Sequence, residues 1–188
     1  MKTMSLLAIS VIALFGGMVC GQGFNPPEEG KAVVYFVRVS SYGFAVSFEF
    51  FHHDRYIGAF KGENYMRYEC DPGEQLFWAS TENKEFLTSE LKPVGSYIVV
   101  VDVIMGFWKA HVGLSPLSVT DTELFQRAKE LINKKQPIEI TDAQIEKMNK
   151  KLSDFIPEML DRYEKEWKQE HNFKHIASDM AIPEEAMQ

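Results

Sequence analysis

The sequence predicts a mainly β protein, an antiparallel β-sandwich of about 7–8 strands followed by two or three C-terminal α-helices. Three observations carry that class. Apolar and polar residues alternate with a period of two through much of residues 44–103, turn signals separate the runs at roughly 8–12-residue spacing, and helical spacing begins only after Val119. An α/β fold would interleave the two periods along the whole chain.

Residues 1–21 carry Lys2 as their only charge, an almost wholly apolar stretch over 6–15, and then Gly16 and Gly17. That is the grammar of a signal peptide cut before Gln22, with Val19 and Gly21 at the minus-three and minus-one positions. The stretch is shorter than the roughly 20 residues of a bilayer-spanning helix. Cys20 supplies the alternative, acylation as in a lipoprotein, although Gly17-Met18-Val19 departs from the usual lipobox. Residues 22–30 read as a linker, because Pro26 and Pro27 block helix and ladder pairing while Glu28, Glu29 and Gly30 favour solvent.

The sandwich domain is expected over 31–119. Residues 32–39, AVVYFVRV, form a continuous β-rich run that suits a central strand covered on both faces. Val46, Phe48 and Phe50 alternate with Ser47 and Glu49, and His52, His53, Asp54 and Arg55 connect them to a short strand over 56–60. Met66, Tyr68 and Cys70 alternate with Tyr65, Arg67 and Glu69 in the next strand. In Asp71-Pro72-Gly73-Glu74, Pro72 presets φ and Gly73 takes the positive φ of a type II turn. Further strands follow at 76–79, 85–91, 96–103 and 108–114. Thr120 with Glu123 reads as a capping box for a helix ending before Gln136-Pro137, and Thr141 with Gln144 opens a longer helix that Pro157 kinks or splits. These make a helical extension over 120–170, and periodicity is lost in a flexible tail over 171–188.

Composition narrows the function. With 45% apolar and 13% aromatic residues the chain can fill a core, and its net charge of −7 becomes −8 once Lys2 leaves with the leader (19 basic against 27 acidic side chains). No basic cluster with interleaved aromatics is present, so nucleic acid is disfavoured as a partner, as is attraction to anionic lipid. No phosphate loop, paired-carboxylate motif, nucleophile elbow or HExxH is present either, so no catalytic residues are assigned, no cofactor is implied and no enzyme is expected. His52-His53-Asp54 is the most suggestive cluster, and with His111 as a third ligand it would make a weak metal or small-ligand site. Neighbours on a strand face opposite ways, which favours plain solvated turn histidines. Cys70 is the only thiol left after cleavage, so it forms no internal disulfide, and its place in an alternating series predicts a buried core thiol. Ile145, Met148, Leu152, Phe155, Ile156, Met159, Tyr163 and Trp167 form one apolar stripe. It either packs on the sheet or projects as a partner-helix face for an envelope protein or a second copy.

The blocks KAVVYFVR (residues 31–38), RYIGAFKGENYMRYECDPGEQ (55–75) and GSYIVVV (95–101) followed by AHVGLSP (110–116) resemble the bacterial family called domain of unknown function 2846. Members read KxxVYxYR, a hairpin with a short glycine-bearing strand, GxYxxYxxxPGxH and a late GxxYYxxV. The resemblance covers roughly residues 31–119 and rests on the order and spacing of turns. Glu74-Gln75 departs from the histidine that follows Pro-Gly in the family. It implies a β-sandwich similar to PEGA-type surface modules, exported or lipid-anchored, with no established activity. The expectation is an exported, non-catalytic binding or structural module of the bacterial periplasm or cell envelope, attached to membrane only through a lipid on Cys20. A weak metal or small-ligand binder using the His52-His53 turn is the alternative.

Overall fold

A strand that is apolar on both sides needs cover on both sides, and the continuous run at the start of the domain sets the layering. In the computed structural model, which describes residues 23–105 and 110–188, that run is β1 (Ala32–Arg38), buried at every position. The export signal, Cys20 and the Trp108 start of the last predicted strand lie outside the described residues. The further strands are β2 (Ser47–His52), β3 (Arg55–Lys61), β4 (Asn64–Cys70), β5 (Gly73–Ser80), β6 (Lys84–Leu91), β7 (Ser96–Met105), β8 (Ala110–Leu117) and β9 (Lys174–Ile176).

The strands form two sheets, ordered β4-β1-β7-β8 and β3-β2-β5-β6-β9. Most pairings are antiparallel; β1 with β7 and β6 with β9 run parallel. The residues 44–78 do not stay in one sheet. Gly62 (φ +66°) turns the chain from β3 into β4 in the first sheet, and Gly73 (φ +97°) returns it to the second. These two corners make a sandwich of what could have been a flat meander.

The inner faces meet through Val34, Phe36, Val99, Val101 and Leu114 on one side and Phe48, Phe50, Phe77 and Leu87 on the other. The outer face of the first sheet, with Val33, Tyr35, Val37, Ile98 and Val100, is covered by Phe125, Ala128, Leu131 and Ile132 of helix α1 (Thr122–Lys134). The outer face of the second sheet offers Phe51, Tyr56, Trp78 and Phe86, covered by Ile156, Met159 and Tyr163. Those come from α3 (Phe155–Arg162) and the π-helical turn that continues it (Tyr163–Trp167). The result has four layers, helix, sheet, sheet, helix. No helix among the described residues is long and apolar enough to cross a membrane.

Several local expectations change. α1 starts at Thr122 behind Asp121, and Thr120 does not cap it; the hydroxyl of Thr120 is spent on Ser118. The Thr141–Gln144 box does form, on α2 (Asp142–Lys151). The long helix splits as Pro157 requires: the turn 152–154 separates α2 from α3, at the Ser153 carbonyl that the proline ring would meet, and Pro157 itself occupies the third position of α3, where a backbone N–H has no intrahelical partner to lose. The linker is docked: the Asn25 N–H donates to Tyr35 Oη (2.9 Å), whose hydroxyl donates to Asn25 O (2.9 Å). The tail is structured too. β9 pairs with β6, Ile176 and Ile182 are buried, and the Ile182 N–H donates to Ser96 O. One apolar residue per short element leaves no periodicity to detect, yet each fills a gap in a core already formed by others.

Candidate functional site

The histidine turn is built by β2 and β3, which join through two residues only, His53 and Asp54. His53 takes a positive φ of 50°, which breaks the strand alternation and lets both imidazoles face one acceptor. That acceptor is Gln75 on β5: Nε2 of His52 and Nε2 of His53 each lie 2.8 Å from Gln75 Oε1. The Gln75 amide N–H donates to Asp71 O (3.1 Å), which fixes the amide's orientation. Both imidazoles therefore carry their proton on Nε2, leaving His52 Nδ1 to accept from the Tyr68 hydroxyl (3.0 Å). Burial holds His52 below the ordinary histidine value, opposed by the Gln75 hydrogen bond. Burial also pushes the Tyr68 phenol up to about 12. Both groups stay neutral, and the cluster is a satisfied network tying the hairpin to the Pro72-Gly73 corner.

His111 lies on β8, in the opposite sheet, and does not join the other two. Among the described residues no three His, Cys, Asp or Glu side chains form a group that could hold a metal ion. Cys70 is buried, and burial first, then Asp71, pushes its thiol up to about 12, so it carries no thiolate at neutral pH. His53 also borders a cleft of about 490 Å³ between the second sheet and the helices, with Glu74, Glu90, Glu164, Lys168 and His175 on its walls. Thr88 Oγ1 lies 2.9 Å from His175 Nδ1 there.

The apolar stripe offered as a partner-helix face is occupied by the chain's own second sheet. Phe155 lies against Phe51 and Trp78, Tyr163 stacks on Phe86 (4.2 Å between centroids), and Trp167 lies 5.9 Å from Phe86. Met148 and Leu152 pack on the same cluster. Ile145, at the stripe's start, lines a groove with Ile57, Met66 and Ile140. The outer face of the second sheet is itself aromatic, and α3 is the nearest surface that can take it out of water.

The sandwich's edges are covered in part as well. Asn149 of α2 pairs with the free edge of β3 as a strand would, its Oδ1 accepting from the Tyr56 N–H (2.8 Å) and its Nδ2 donating to Tyr56 O (3.2 Å). Asn83 does the same to Val112 of β8 (2.8 and 2.9 Å). The Ile138 N–H donates to Tyr65 O on the edge of β4, and β9 covers β6.

Among the described residues, four of the five exposed large apolar side chains lie towards one end. The loop from β1 to β2 and the upper end of β7 expose Tyr42 (57%), Phe44 (72%), Ile104 (53%) and Met105 (60%). The two segments touch, because a Cβ at Gly43 would sit 3.2 Å from Val103 Cγ1. The loop is held from inside by Arg38, whose side chain is wholly buried. Its guanidinium donates to the carbonyls of Val46 (2.9 Å), Tyr42 (2.7 Å) and Gly43 (2.7 Å) and stacks over Phe48. Burial lowers its pKa, and carbonyl dipoles stand in for a counter-ion. Sequence reasoning missed this end; the signal was present as an uncharged run from Val39 to Phe48 in a chain with 25% charged residues.

Comparisons with protein-family models, with curated proteins and with solved structures find no match to this chain.

Proposed function

We propose that this protein is an exported, non-catalytic binding module of a bacterial cell envelope that works through the end of its sandwich that carries the β1–β2 loop. The carrying observation is that Tyr42 and Phe44, on a loop fixed by Arg38, and Ile104 and Met105, at the end of β7, are each more than half exposed. Adjacent exposed apolar side chains mark interaction sites on soluble domains, and a loop ordered before contact loses less entropy on binding. The helical stripe, another usual docking surface of such a fold, is already used internally. The non-catalytic part draws support from two facts: His52 and His53 are engaged by Gln75, and the Cys70 thiol is neutral. Kinship to domain of unknown function 2846 stays a matter of the order of turns, and adds no activity.

The test places a photo-crosslinking residue at 42 or 44, with 94 at the opposite end as control, in protein displayed on the envelope it is exported to. Adducts from 42 and 44 but not from 94 are expected. Equal labelling from 94, or none from 42 and 44, overturns the reading.

The small-ligand alternative now attaches to the cleft beside His53 and His175. Small polar metabolites titrated against imidazole NMR signals would shift both rings if it holds, and leave them in place if it does not.

A further inference from the structure

We propose that His52, His53 and Gln75 form a binding site for Cu²⁺, with both imidazole Nε2 atoms and the Gln75 amide oxygen as its donors. The site lies at the far end of β2 from the Tyr42–Phe44 loop, so it stands independently of the surface proposed above.

Adjacent residues on a regular strand do not share an ion, because their side chains point to opposite faces. The hairpin removes that obstacle. With φ at +50° in His53, both rings turn to the same side, and each Nε2 lies 2.8 Å from Gln75 Oε1. Those separations are the ones a tetragonal ion imposes. Donor atoms at right angles and about 2.0–2.1 Å from one centre lie about 2.9 Å apart, whereas tetrahedral donors lie about 3.3 Å apart. An imidazole bound through Nε2 holds its ring centroid about 3.2 Å from the ion, so two at right angles stand about 4.5 Å apart. The His52 and His53 centroids are 4.6 Å apart. The three donors are thus spaced for right-angled positions on one ion, and a tilt of the rings moves their lone pairs from the oxygen to it.

The proton on each Nε2 has somewhere to go. A ligating nitrogen must be bare, so the proton shifts to Nδ1, a change of tautomer with no change of charge. Tyr68 Oη, 3.0 Å from His52 Nδ1, then accepts where it had donated, the kind of outer partner that orients a metal-bound histidine. His53 is exposed and has water for the same purpose. The donors are also held in place: His52 stacks on Phe77 (4.8 Å), and the Gln75 amide N–H is fixed on Asp71 O (3.1 Å). The surroundings favour a cation. His53 borders the cleft that carries Glu74 and Glu90, and Lys168 there is paired with Glu164 (3.0 Å).

One donor is a neutral amide, so the trio needs no group of three histidine, cysteine or carboxylate side chains. Two nitrogens and one oxygen leave positions for water, which makes the site exchangeable and not structural. Right-angled geometry, imidazole donors and the order of divalent affinities together select Cu²⁺ over Ni²⁺ and Zn²⁺.

The experiment strips the purified protein with chelator, titrates it with copper sulfate in a non-coordinating buffer and reads the product by electron paramagnetic resonance. Expected are one equivalent of copper, an axial spectrum with coupling to two imidazole nitrogens, and binding of Zn²⁺ at least about tenfold weaker. Asparagine accepts a positive φ, so His53→Asn keeps the hairpin, and it should weaken copper at least about tenfold and remove one nitrogen coupling. His111→Asn, in the opposite sheet, should change neither. Failure to hold one equivalent, coupling to a single nitrogen in the parent, or an affinity unchanged by His53→Asn overturns the proposal. Equal weakening by His111→Asn overturns it too, and makes the copper adventitious.

Discussion

Gln75 sits between two histidines, and that placement makes a pH dependence. His52 has a folded pKa below its unfolded value near 6.5, so its neutral form is the one the fold favours. Its contribution to stability is complete above pH 6.5 and is lost as pH falls through the lowered folded value. Denaturant titrations should therefore show stability falling below pH 6.5, and His52→Gln should flatten that slope; a slope unchanged in the variant would assign it elsewhere. Val94 makes the second prediction at this scale. A β-branched residue at φ +61° is strained, and its side chain is exposed, so nothing is lost by replacing it. Val94→Asn should stabilise by about 1 kcal/mol, read as a higher urea midpoint. The His52-His53 pair stands out in the sequence because its members are adjacent. Their shared partner is more than 20 residues away in an unremarkable Glu-Gln pair, and nothing local points to it.

Asn83 and Asn149 each use one amide to occupy a strand's free edge. An unpaired edge is a template for another chain, so removing either cap should cost about 1–2 kcal/mol and raise the tendency to aggregate. Asn149→Ala and Asn83→Ala, heated with light scattering recorded, should scatter below the parent's melting temperature; soluble, unchanged variants would show the edges need no guard. At this scale the sequence was most informative. Val46, Phe48 and Phe50 did alternate, and Pro72-Gly73 did turn with a positive φ. Partners across space were another matter: β1 and β7 lie parallel though 57 residues (39–95) separate Arg38 from Ser96, and no local period encodes which sheet a strand joins. The apolar stripe continues in phase across the break at Ser153, so only Pro157 marks the division between α2 and α3 in the sequence.

The whole molecule is closed by its last residues. Stopping the chain at Glu170 would strip β9 from β6 and remove Ile176 and Ile182, each worth about 1.5–3 kcal/mol of burial. A loss of roughly 3 kcal/mol or more is expected, with faster proteolysis of the second sheet. A truncated chain as stable as the parent would show the tail to be an ornament. The fold class was readable because alternation and helical spacing occupy separate parts of the chain. The layering was not, since a stripe of apolar residues says that something will cover it without saying what. β9 also bears on the order of events during synthesis. A ribosome making this chain would release β1 early but withhold the last sheet member until more than a hundred residues later, so for all that interval the polypeptide would be an unfinished sandwich in need of protection.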